Sequence, residues 1–245
     1  KDIKDSFNDF DVFVFANGPS LKKVDFNKIR LRREKYGDKI ICVNFFLDKI
    51  SSELIPDFYV LSDPYFFGIN IHNANKTILQ GIQRVISCIE KHQIPLFMPL
   101  SYKSNFNINT KIYFFNDKEI RLFNNNVTNI TKPRSYVSMT AYKASAISSY
   151  LGFNKIYISG FDNDYFKTVN VNYKNEIFYE ENHAFKQGDT NITKNNTEQF
   201  KNLGSLLLSF ADLFVDLYKF PQNIINLNKD SLLDMFEKDE LDVLK

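Results

Sequence analysis

Residues 10–26 read "FDVFVFANGPSLKKVDF". A mostly apolar, β-rich run, "DVFVFAN" (11–17), passes straight into Gly18-Pro19-Ser20. Valine and phenylalanine in succession, closed by a Gly-Pro turn signal, read as a strand covered on both faces. At the turn, Gly18 lets the backbone approach a ligand, Pro19 fixes the bend, and Ser20 is placed to cap the next turn of chain. Free backbone amides in such a turn would hold an anion such as phosphate.

The same unit recurs along the chain. Strand-length apolar runs stand at "KIICVN" (39–44), "FYVLSD" (58–63), "PLFMPL" (95–100), "KIYFFND" (111–117), "KIYISG" (155–160) and "IINLN" (223–227). Helical spacing appears over 26–36, 76–92, 138–151 and 195–219; Gly152 and Pro221 supply stop signals. This β/α alternation predicts a Rossmann-like, doubly wound, mostly parallel sheet of about seven strands. Residues 161–194 break the rhythm: they are polar, Asn-rich and dotted with aromatics. A long irregular segment inside a compact domain is expected to be a functional lid or a disordered loop. The expected organisation is therefore one nucleotide-sugar-binding domain over 1–245, with a lid insertion at 161–194. The first residue is not Met, and a longer parent chain is expected.

Composition narrows the function classes. The formal net charge is +2, which argues against a nucleic-acid binder. No window approaches the length of apolar sequence needed to span a membrane, and no signal peptide is read at the start. Cys42 and Cys88 are far apart in sequence and show no metal-ligand spacing, so a reducing cytoplasm is the expected setting.

In an open α/β sheet, ligands bind beyond the carboxyl ends of the strands. Those ends read Asn17-Gly18-Pro19-Ser20, Asn44, Ser62-Asp63-Pro64, and Ser159-Gly160 followed by Asp162-Asn163-Asp164. Amide, hydroxyl and carboxylate groups of this kind suit sugar hydroxyls and a nucleobase edge. The chain lacks G-x-G-x-x-G and G-x-x-x-x-G-K-[ST], which speaks against a dinucleotide oxidoreductase and a phosphate-loop NTPase. It also lacks an Asp-x-Asp metal signature; the nearest approach, Asp162-Asn163-Asp164, reads as a loop cap, and no metal is expected.

The segments "FANGPSL", "CVNFF", "SDPYFF" and "LGFNKIYISGFD", in that order, resemble the bacterial lipooligosaccharide sialyltransferases. They also resemble related transferases of capsule, O-antigen and flagellin glycosylation clusters. The resemblance covers roughly 10–70 and 135–185, with a fainter echo at "NIINLNKDSLLDMF". It implies a GT-A-like sialyltransferase variant of the fold with a lid, a CMP-activated acidic sugar as donor, and no metal or other cofactor. By resemblance, Asn17 lies near the donor phosphate, Asn44 near the donor sugar and nucleotide, and Asp162 at the nucleotide. Thr140, with Ser138 beside it, aligns with a serine that contacts the donor carboxylate; Gly18, Ser20 and Gly160 complete the expected donor site. Asp63 departs from the pattern, which has asparagine there, and an acid would repel a donor carboxylate.

Of the three histidines, His72 and His92 read as solvated. His183 lies in the lid sequence "FYEENHAFKQGD" and is the candidate general base, since histidine titrates near working pH. The resembling enzymes carry two lid histidines four residues apart; here the second position is Gln187. They also use lid tyrosines to stabilise the leaving phosphate. Tyr165 is the first choice here, ahead of Tyr173 and Tyr179, and Arg134 and Lys186 are candidate cations.

The resulting expectation is a metal-independent, inverting glycosyltransferase moving sialic acid, a related nonulosonate or Kdo to a cell-surface glycan acceptor. It would work in the cytoplasm at the inner face of the inner membrane, with peripheral membrane association through a tail. The resemblance also implies frequent homo-oligomers. Two alternatives stay open: a transferase using another nucleotide sugar, such as a UDP donor, and a non-catalytic glycan- or nucleotide-binding subunit.

Overall fold

The computed structural model describes residues 3–46, 54–69, 71–118, 127–133, 139–179 and 202–239. Its elements run β1 (Val12–Phe15), α1 (Phe26–Tyr36), β2 (Lys39–Val43), β3 (Phe58–Val60), α2 (Lys76–Lys91), β4 (Leu96–Pro99) and β5 (Ile112–Phe115). Next come α3 (Thr140–Leu151), β6 (Ile156–Ser159), β7 (Asn170–Val171), β8 (Ile177–Phe178), α4 (Leu203–Leu217), β9 (Ile224–Asn226) and β10 (Glu237–Lys238).

Eight strands form one sheet in the order β10-β9-β6-β1-β2-β3-β4-β5, and every neighbouring pair is parallel. The seven runs read from the sequence are all strands; β10 adds an eighth, too short to carry a pattern. The chain winds outward from β1 to β5, then returns to the other side of β1 as β6. The switch point thus falls between β1 and β6, where Val12 pairs with Ile156 and Phe15 with Ser159.

Both faces of the sheet are covered, which is why the strands read as continuous apolar runs. Val12, Val14, Ile41 and Val60 pack with Ala144, Ile147 and Leu151 of α3 and Leu213 and Leu217 of α4. The alternate residues Phe13, Phe15, Ile40 and Cys42 pack with Ile29 of α1 and Val85 and Ile89 of α2.

Local chemistry sets the helix ends. Asp25 caps α1 by accepting from the Asn27 and Lys28 amides, and Gly37 closes it at φ 75°. The Asn75 side chain caps α2 through the Ile78 amide at 2.9 Å, and Asn202 and Ser205 form a reciprocal capping box at α4. The buried serines of α3 satisfy their hydroxyls within the helix: Ser148 Oγ donates to the Ala144 carbonyl at 2.9 Å. Small side chains at Ala144, Ser145, Ala146 and Ser148 let α3 lie close on β1, β2 and β6. That close seat brings the N-terminus of α3 to the switch point.

The described part of the predicted lid, 161–179, is a 3-10 turn at Tyr165–Thr168 and the antiparallel β7–β8 hairpin. Ile177 and Tyr179 bury against Leu206 of α4, so this stretch is anchored on α4. Residues 180–194 lie outside the described residues. Among the described residues no helix is long and apolar enough to cross a membrane.

Candidate active site

A cleft of about 350 Å³ opens at the carboxyl ends of β1, β2, β3 and β6, beneath the N-terminus of α3. Asn17, Gly18, Asn44, Asp63, Thr140, Gly160 and Asp162 all line it. Residues distant in sequence, each picked out at a strand end or a helix start, therefore share one cavity at the switch point.

Two hydrogen-bonded clusters build the walls. The first holds the β1 and β6 loops together. Asp162 Oδ2 accepts from the Ser20 amide and from Ser20 Oγ, each at 3.0 Å. Asp162 Oδ1 accepts from Asn228 Nδ2 at 2.9 Å, and Ser20 Oγ accepts from the Gly160 amide at 3.2 Å. Ser20 is buried at 6% exposure.

This cluster corrects two expectations and gives Asp162 a bracing role beside its place on the cleft wall. Ser20 does not cap the 3-10 turn it enters; its hydroxyl is spent on Asp162. Asp162 has both oxygens engaged by protein donors and acts as a clamp between loops. The amides of the turn are not free for an anion: Gly18 N donates to the Gly160 carbonyl at 3.0 Å and Leu21 N to the Gly18 carbonyl at 3.1 Å. Pro19 has no amide hydrogen. Gly18 is required by the neighbouring loop, because a Cβ there would stand 2.2 Å from Asp162 Oδ2 and 2.4 Å from the Gly160 oxygen. The Asn17 side chain has no hydrogen-bond partner among the described residues and faces the cleft.

The second cluster joins β2, β3 and α3. Asn44 sits in the left-handed region at φ 44°, a conformation asparagine tolerates. Its Oδ1 accepts from the Ser62 and Asp63 amides at 3.2 and 3.4 Å. Its Nδ2 donates to Thr140 Oγ1 at 2.9 Å, and Tyr59 OH donates to its carbonyl at 2.5 Å. Ser62 Oγ and Thr140 Oγ1 lie 2.7 Å apart, and Lys143 Nζ donates to Ser62 Oγ at 3.0 Å. Asn44 thus braces the site as well as lining it.

Asp63 Oδ1 caps the following 3-10 turn through the Tyr65 amide at 3.0 Å. Burial raises its pKa above the ordinary carboxylate value, and the Tyr65 amide and the Lys143 charge offset only part of that. Asp162 is raised in the same direction, again chiefly by burial, against the pull of the Ser20 hydrogen bonds. Asp63, Asp162 and Asp164 line the cleft, whereas none of its described lining residues is Lys, Arg or His. Among the described residues no group of three or more His, Cys, Asp or Glu could hold a metal ion.

The remaining candidates are elsewhere. His183, Ser138, Arg134 and Lys186 lie outside the described residues. Tyr165 opens the 3-10 turn two residues past the Asp162-Asn163 edge of the cleft. Tyr173 is 90% exposed at the hairpin turn, and Tyr179 is buried against α4. His72 lies in the middle of a short 3-10 turn and His92 follows α2, both away from the cleft lining. Sequence reading missed Lys143, which looks like any solvated helix lysine, and Asn228, which the strand-end rule would have found just past β9.

No protein-family model and no curated protein matches the chain. Among solved structures, a glycosyltransferase from Magnetospirillum magneticum AMB-1, described as MAf glycosyltransferase, superposes with a TM-score of 0.53 at 11% identity. The match covers 98% of this chain and 35% of that one, so this chain spans about a third of that protein's length. At that identity the likeness establishes a shared α/β fold.

Proposed function

We propose that this protein is a glycosyltransferase that uses a nucleotide-activated sugar, with a CMP-activated acidic sugar as the donor. The observation that carries the reading is the convergence of Asn17, Asn44, Asp63 and Thr140 on one cleft at the switch point. Hydroxyl and amide groups there fit a ribose and a sugar ring, and the fold is one that a glycosyltransferase uses. The four resembling motifs favour the CMP donor and a cell-surface glycan acceptor, met at the cytoplasmic face of the membrane.

In the proposed reaction the acceptor hydroxyl oxygen bonds to the anomeric carbon with inversion. The bond from that carbon to the phosphate oxygen breaks, and the nucleotide leaves with the electron pair. His183 takes the acceptor proton, and Tyr165 donates to the leaving phosphate. No metal is assigned a part.

The three carboxylates on the cleft wall favour a second reading, a transferase whose donor sugar is uncharged, such as a UDP-sugar. A thermal-shift panel of CMP, CDP, UDP, GDP and NAD without metal separates the two. A ligand that binds only the native state raises the melting temperature, by about 2.7 kcal/mol of stabilisation at a hundredfold excess over Kd. Stabilisation by cytidine nucleotides supports the first reading and by UDP the second. No shift with any nucleotide overturns both and leaves a non-catalytic glycan-binding role.

A further inference from the structure

The hydroxyl pair at the start of α3 carries one hydrogen more than the described residues use. Lysine is a donor only, so Ser62 Oγ must accept from Lys143. Asn44 Oδ1 faces two backbone amides, which fixes its Nδ2 toward Thr140, so Thr140 Oγ1 must accept as well. Between the two hydroxyls, 2.7 Å apart, one hydrogen is used. The other has no acceptor among the described residues, although Ser62 and Thr140 are only 8% and 9% exposed. Both line the cleft.

Three further features point the same way. Met139 gives α3 no side-chain cap, and Thr140 and Ala141, both cleft-lining residues, have backbone amides with no acceptor among the described residues. A cation four residues into a helix works against the helix dipole, so Lys143 is poorly placed for helix stability alone. The turn amides expected to hold an anion are occupied by Gly160, Asp162 and Gly18.

We propose that Lys143 is a positioning residue: by donating to Ser62 it orders the Ser62–Thr140 pair so that one hydroxyl hydrogen is left to point into the cleft beside the Thr140 and Ala141 amides, and this wall takes the ligand's anionic group. The charge on Lys143 also counters that of Asp63. The inference rests on the nucleotide-sugar reading for the source of the anion, a phosphate or a sugar carboxylate. The hydrogen count at the wall is independent of that reading.

The test is calorimetric titration of wild type, Lys143→Met and Lys143→Arg with CMP and UMP, each against its nucleoside, and with acetate as carboxylate probe. Lys143→Met is expected to lose about tenfold in affinity for the anionic probe, the scale of one hydrogen bond to a charged group, with nucleoside affinity unchanged. Lys143→Arg is expected to recover most of it. Loss with the monophosphates assigns the wall to phosphate; loss with acetate alone assigns it to a carboxylate. Equal loss for nucleoside and nucleotide shows a merely structural lysine and overturns the proposal, as does no loss at all. If no nucleotide binds wild type, that donor reading fails by itself. Inorganic phosphate and acetate then decide, Lys143-dependent binding upholding the anion wall and Lys143-independent binding overturning it. Should Lys143→Met not fold, Lys143→Gln replaces it under the same criteria.

Discussion

Gly18 and Gly160 meet with neither carrying a side chain between them. The Gly18 amide donates to the Gly160 carbonyl at 3.0 Å, and a Cβ on Gly160 would stand 2.4 Å from the Ala16 oxygen. This contact extends the β1–β6 pairing past the last ladder residues and closes the floor of the cleft. Ser20, Asp162 and Asn228 continue it as hydrogen bonds.

Gly18→Ala is therefore expected to destabilise the protein by about 1–3 kcal/mol, the range for forcing an extra methyl into packed structure. Gly68→Ala is the control. Gly68 has φ 78°, and a methyl placed on it would meet nothing within 4 Å, so only backbone strain of about 1 kcal/mol is expected. Urea denaturation compares them. Equal costs would show that the Gly18–Gly160 contact is not tight in solution.

Much of the fold was legible because its signals are local. Asp25 before Phe26 and Gly37 after Tyr36 mark both ends of α1, and each sheet strand except β10 reads as an apolar run. The strand-end rule also gathered much of the cleft. The hidden part depends on partners far away in sequence: Ser20 meets Asp162 across 142 positions, and nothing near Ser20 signals that its hydroxyl is taken. Lys143 gained its role only when β3 placed Ser62 beside it. The β7–β8 hairpin has two residues per strand, too few for any period to register.

Asp63→Asn is expected to change the pH dependence of stability in a definite direction. Burial raises the Asp63 pKa in the folded state. Between its ordinary value, about 4, and the raised one, the folded protein holds more protons than the unfolded chain. Stability therefore falls as pH rises through that window. Asparagine keeps the acceptor for the Tyr65 amide and does not titrate. Its stability relative to wild type should rise from pH 3 to pH 7 and then level off, as read from urea midpoints. A difference that stays flat, or falls, would sink this account.

At the opposite end of the sheet, Arg32 holds Asp11 at 2.8 Å and Asp38 at 2.5 Å, with its guanidinium 5.3 Å from the Tyr157 ring centroid. Burial pushes the Tyr157 hydroxyl up to about 12. It also lifts Asp38 above the ordinary carboxylate value despite Arg32. Arg32→Met would leave two carboxylates without their cation, at an expected cost of about 3 kcal/mol, and Asp38→Asn in the same chain should recover part of it. Ligand binding by the folded variant should be unchanged, since this cluster lies at the amino ends of the strands. A loss of ligand affinity as large as the loss of stability would contradict that separation.

Asn44→Asp separates bracing from donation. Aspartate tolerates the left-handed backbone at 44 and keeps an acceptor for the Ser62 and Asp63 amides, so the fold should survive. The new carboxylate no longer donates to Thr140; instead it accepts the Thr140 hydrogen. Ser62, already accepting from Lys143, must then turn its own hydrogen toward Thr140, and the pair has none left for a ligand. A fixed negative charge also stands against the donor wall. Affinity for the anionic probe should fall by about tenfold or more, the scale of a lost charge-assisted hydrogen bond, while the melting temperature changes little. Calorimetric titration beside a melting curve reads both. Unchanged anion affinity in a folded Asn44→Asp protein would place the ligand's charge elsewhere in the cleft.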